Sequence, residues 1–201
     1  MRIFLILIVA LVGGCSTQGE KMVESFSRTR QLLADAQGQV DMTLIRLKGV
    51  RSARGDSLGD AFREYKQEVA RLEETGKDSK RRADTMKEEA DAHIKAWQSE
   101  MKDIKDPAIK SSLESRRQAV RSNFKLVQMY AQDARKEYEP FLEGNRQLVQ
   151  ALSIDLSPAT ITSLSPSMDR VAAEGQALKE RITAMQRALD NIAAGVSPIG
   201  H

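Results

Sequence analysis

Three observations predict an all-α chain, folded as an elongated antiparallel four-helix bundle with a long central coiled-coil hairpin. Apolar residues recur in steps of three and four through most of the 201 residues, the spacing that lines one face of a helix. No stretch beyond the first fourteen residues alternates with the period of a strand. The composition, 29% charged, 41% hydrophobic and 4% aromatic, is that of a soluble helical protein and too polar for one built of membrane spans.

The same composition excludes several kinds of function. The 31 Lys+Arg and 28 Asp+Glu leave a net charge of +3, too even a balance for a nucleic-acid footprint, so no nucleic-acid partner is expected. A single cysteine cannot form an internal disulfide, a zinc ribbon or an iron–sulfur site. His93 and His201 are the only histidines, so neither a metal nor a cofactor is expected.

Taken in order, the chain opens with Met1-Arg2 and an unbroken apolar run from Ile3 to Val12, followed by Gly13-Gly14-Cys15. The run is too short to span a bilayer, and its cationic flank and small residues read as a secretory signal over residues 1–14. Leu11-Val12-Gly13-Gly14-Cys15 resembles the bacterial lipobox. That resemblance implies a diacylglycerol thioether on Cys15, cleavage before it, and a fatty acid such as palmitate on the new amine. Two or three chains anchor stably where one does not. Ser16 rather than aspartate follows the cysteine, so the expected place is the bacterial cell envelope, at the periplasmic face of the outer membrane if the source is double-membraned.

Residues 15–21 read as a lipidated tether. A first helix, about 22–49, is marked by Phe26, Leu33, Val40, Leu44 and Leu47, and Gly49, Gly55 and Gly59 are expected to break it. The second, about 57–104, carries an uninterrupted heptad seam: Leu58, Phe62, Tyr65, Val69, Leu72, Gly76, Ser79, Ala83, Met86, Ala90, His93 and Trp97. Asp106-Pro107 ends it, because proline opens a helix but cannot continue one. The third, about 107–153, repeats the spacing from Leu113 through Val120, Phe124, Val127, Ala131, Ala134, Tyr138, Phe141 and Leu148 to Leu152, with Arg117 and Asn145 as polar exceptions. The fourth, about 158–194, is capped by Asp155 or Ser157 and runs from Ile161 to Ile192. A bend is expected at Pro140, and a bend or a restart capped by Ser165 at Pro166. These helices form one domain, 22–195, with a short tail at 196–201.

Folding the hairpin about Lys105 to Ala108 predicts a register in which facing residue numbers sum to about 214, setting Ala90 against Phe124 and Gly76 against Tyr138. Large residues then meet small ones, which fills a seam poor in leucine. The central arms outreach their neighbours and expose a tip with Trp97, Met101, Ile104, Ile109 and Leu113 among lysines. These five are the candidate contacts for a protein partner or a membrane, although they could also pack only across the hairpin. Trp97 is placed to stack on Arg116 or Arg117. His93 reads as a packed or bundle-edge residue, the eight methionines as seam fillers, and Arg54-Gly55-Asp56 as a chance match to an adhesion tripeptide. There is no G-x-x-x-x-G-K, G-x-S-x-G or H-E-x-x-H motif.

Asp91-Ala92-His93-Ile94-Lys95-Ala96-Trp97, Tyr138-Glu139-Pro140-Phe141-Leu142 and the Asp155-to-Leu164 junction, set in two long central helices, resemble a family of bacterial secreted helical proteins known only as a domain of unknown function. The likeness runs from Phe26 to Ala194 and departs at Ser165-Pro166 and in the glycine-rich Gly49 to Gly59 loop. It implies a helical lipoprotein or periplasmic protein and no catalytic residues. The expected role is that of a noncatalytic envelope lipoprotein, a lipid-anchored helical scaffold or tether for a protein partner. The alternative is a lipid-binding or membrane-remodelling protein whose bundle opens at the small-residue stretch of Gly76, Ser79, Ala83, Ala131 and Ala134. A homo-oligomer, including a dimer swapped through the Gly49 to Gly59 loop, stays open.

Overall fold

A computed structural model describes residues 13–196, with side-chain surroundings from 24 to 192. Most of the segment read as a signal, and the tail from 197, lie outside the described residues.

The described chain is all-helical: α1 (Gly13–Ser52), α2 (Ser57–Glu100), a 3-10 turn (Met101–Asp103), α3 (Pro107–Ile154), α4 (Pro158–Ser163) and α5 (Ser165–Val196). Helix α1 starts earlier than expected and takes in residues 16–21, the supposed tether. That stretch has no proline, and its one glycine, Gly19, weakens a helix without ending it. Gly49 and Gly59 also lie within helices. Only Gly55 sits in the break, at a φ of 54° that costs an L side chain energy and glycine little. The turn is closed by Leu58 N–H donating to the Gly55 carbonyl at 3.1 Å.

Helix α3 runs through Pro140 without a break. Asp155 closes α3, while Ser157 caps α4 by accepting from Thr160 N–H at 3.2 Å. At Pro166 the helix restarts: Leu164 separates α4 from α5, and Ser165 is the first residue of α5 rather than its cap.

Facing residues show how the helices run. Tyr138 lies over Gly76, where a Cβ would collide with the phenol oxygen, and donates to the Leu72 carbonyl at 3.2 Å. This is the register expected for α2 against α3. Helix α1 meets α2 through Gln39 and Glu68 (2.6 Å) and Arg46 and Glu64 (2.7 Å), and α3 meets α5 where Phe141 abuts Gly175. A ladder of ion pairs joins α1 to α5: Arg30 with Asp190 at 2.9 Å, Asp41 with Lys179, and Arg51 with Asp169. All four pairings are antiparallel.

The most extensive contacts join α1 to α2 and α3 to α5, not α2 to α3, so the expected central hairpin is the looser pair. Side-chain size accounts for this. Between Leu72 and Met86, and between Val127 and Phe141, neither hairpin helix has a fully buried residue. The large core residues at that level, Leu33, Leu178, Ile182, Met185 and Leu189, come from α1 and α5. Nearer the tip, Phe26 of α1 meets Phe124 of α3 with ring centroids 5.5 Å apart.

A polar layer crosses the core. Tyr65 donates to Asn145 Oδ1 at 2.7 Å, and Asn145 Nδ2 donates to the Phe141 carbonyl at 2.7 Å, with both side chains fully buried. Burial pushes the Tyr65 phenol well above its ordinary value. Tyr138 is pushed up to about 12, by burial and then by Glu73, against the opposing pull of Arg146. Above about pH 10 the unfolded chain therefore releases phenolic protons that the folded chain retains, and stability falls as pH rises. Urea unfolding at about pH 8 and about pH 11 should show this loss, and Tyr65→Phe should shrink it. An equal loss in the variant would show that Tyr65 does not cause it.

Candidate functional site

The tip of the α2–α3 hairpin is built by local rules. Helix α2 tightens into the 3-10 turn, Ile104 is extended, and the Asp106 carboxylate accepts from Ala108 and Ile109 N–H at 2.8 and 3.1 Å, capping α3 with Pro107 in its first turn. Judged by the antiparallel register with α3, the described part of α5 reaches the level of about residue 120, roughly 20 Å short of the tip.

The five residues expected to form a contact surface do not share one outer face. Met101 is 5% exposed, because the 3-10 turn rotates it inward, and it therefore supports the hairpin. Trp97 is half-buried against the core and packs edge-on to His93 with ring centroids 5.8 Å apart. Arg117, one of the two cations expected to stack on it, is bonded to Glu114 at 2.6 Å and Gln98 at 3.4 Å. Ile104 and Leu113 are half-buried. Ile109 alone of the five is exposed, at 53%, and Lys102, Lys105 and Lys110 around it are exposed as well.

Two features escaped the sequence reading. The first is a polar cluster: Ser25 Oγ reaches Glu89, and Arg82 donates to Ser25 Oγ at 2.6 Å and to Glu89 at 3.3 Å. With Phe26, Met86, His93 and Phe124 close by, Ser25 and Glu89 line a cavity of about 580 Å³. His93 Nδ1 and Arg82 Nε are buried without a hydrogen-bond partner among the described residues. Burial holds the His93 imidazole below its ordinary value, against an opposing pull from Glu100. An apolar repeat could not reveal this cluster, which forms only when α1 is laid on α2. The second feature is a pair of exposed apolar side chains one turn apart on α3, Leu126 at 45% and Met129 at 57%.

Cys15 lies within α1, two residues from where the described chain begins. Ser25 is level with the midpoint of Arg82 and Glu89, so Cys15, ten residues earlier, is level with about Lys95 and about 15 Å short of the tip. Among the described residues no helix is long and apolar enough to cross a membrane, and no three His, Cys, Asp or Glu side chains are grouped to hold a metal.

No curated protein and no solved structure matches the chain. A family model described as a protein of unknown function, DUF2959, matches residues 14–197. With nearly its whole length matched, the chain belongs to the DUF2959 family.

Proposed function

We propose that this protein is a noncatalytic lipoprotein of the bacterial cell envelope, anchored through lipid on Cys15, whose elongated antiparallel four-helix bundle holds a protein partner at a membrane surface. The lipobox-like Leu11 to Cys15 supports the anchor. The observation that carries the scaffold reading is the Leu126 and Met129 pair, exposed on α3 and spaced to receive the apolar stripe of another helix. The tip, with Trp97 and Met101 turned inward, offers less apolar surface than its sequence implied.

In-cell photo-crosslinking from a probe at position 129, with Cys15 intact, tests this. A discrete adduct with another protein, lost on Leu126→Glu, is the expected result. An adduct only with a second copy would replace the partner by a homo-oligomer. Capture of lipid alone would overturn the scaffold in favour of a lipid-binding protein, the reading favoured by the layer of α2 and α3 that has no fully buried side chain.

A further inference from the structure

We infer that the hairpin tip is a phospholipid contact: Lys102, Lys105 and Lys110 meet the phosphates of anionic lipids while Ile109 enters the boundary below them. The inference rests on the proposed lipid anchor, and it follows from where Cys15 lies along the rod. Helix α1 is continuous from Gly13, so no flexible spacer separates the anchored residue from the helical body. The tip lies about 15 Å beyond Cys15 along the axis.

That offset restricts how the rod can stand. With the tip aimed away from the bilayer, the rest of α1, from Cys15 to Ser52 and on the order of 55 Å long, would have to enter the membrane. No described helix is apolar enough to do so. The tip is therefore held along the bilayer surface or directed toward it. A headgroup layer is about 5–8 Å deep on each side. An upright rod would drive Asp103 and Asp106 through it into hydrocarbon, which charged side chains resist. Leaning by roughly 60° from the normal keeps the tip within the headgroup layer. The tip's composition suits that depth, with three exposed lysines around one exposed isoleucine.

The test uses the processed, lipidated chain in phosphatidylcholine–phosphatidylglycerol vesicles, after mass spectrometry of Cys15. An environment-sensitive fluorophore is placed on Ile109→Cys, or on Ile154→Cys at the far end, where the side chain is 81% exposed. A thioether on Cys15 leaves the introduced thiol as the only one free. Quenching by headgroup-level nitroxide lipids should be several-fold stronger at position 109 than at 154. Replacing Lys102, Lys105 and Lys110 by glutamine should remove most of that difference. Equal quenching at the two positions on a lipidated chain would overturn the tip contact and leave the anchor standing. A Cys15 without diacylglycerol would overturn both.

Discussion

Phe141→Ala should lower the unfolding free energy by about 3–5 kcal/mol, the cost of removing a buried phenylalanine and leaving a cavity. The ring is fully buried between α3 and α5. The sharper test is the sign of a second change. A Cβ at Gly175 would sit 2.8 Å from the Phe141 ring and 3.0 Å from a Leu44 methyl, so Gly175→Ala alone should destabilise by about 1 kcal/mol after its gain in helix propensity. In the Phe141→Ala background the ring is gone, and the same substitution should stabilise. Denaturant unfolding of the four proteins reads both signs. Destabilisation by Gly175→Ala in both backgrounds would show that Leu44 of α1, rather than Phe141 of α3, sets the tight contact at Gly175.

Asn145→Ala should cost about 2–3 kcal/mol, because it strands the fully buried Tyr65 hydroxyl without its partner. Tyr65→Phe should cost less, since Asn145 keeps its bond to the Phe141 carbonyl. Combining Tyr65→Phe with Asn145→Leu should recover most of the stability, because an apolar pair leaves nothing unsatisfied. If the double variant also unfolds less sharply, the polar layer selects one register of α2 against α3 among several that apolar packing tolerates. A neutral Asn145→Ala would end that role, since the hydroxyl would then have another partner.

The helices and the α2–α3 register were legible because both follow from side-chain size and period. Tyr138 over Gly76 could be read from a numerical sum, as a large residue needs a small one opposite. Asn145 stood out as a polar residue on the seam, but the other buried polar residues were not legible. Thr29 and Thr43 are hidden because each hydroxyl bonds the carbonyl four residues back, Ser25 and Gln39, at 2.8 Å, which satisfies the group within its own helix. Glu68 is buried because Gln39 and Arg71 reach it, and no pattern within α2 announces a partner from α1. At the tip the exposed Ile109 and its lysines were legible, whereas Met101 was not, because a 3-10 turn advances each residue by a different angle than an α-helix does. The α3 pair Leu126 and Met129 lay off the seam and was passed over, although apolar residues spaced by three and facing solvent are a readable signal.

The ladder between α1 and α5 gives the molecule a mechanical direction. Arg30, Asp41 and Arg51 engage Asp190, Lys179 and Asp169 at intervals of ten or eleven residues, close to three full turns of a straight helix. A force along the axis of α1 loads all three rungs and the apolar seam beneath them in shear, so they must yield together. A force lifting α1 sideways from the Ser52 end opens Arg51 first and peels the rest in turn. The rod therefore resists tension along its length more strongly than it resists being unzipped.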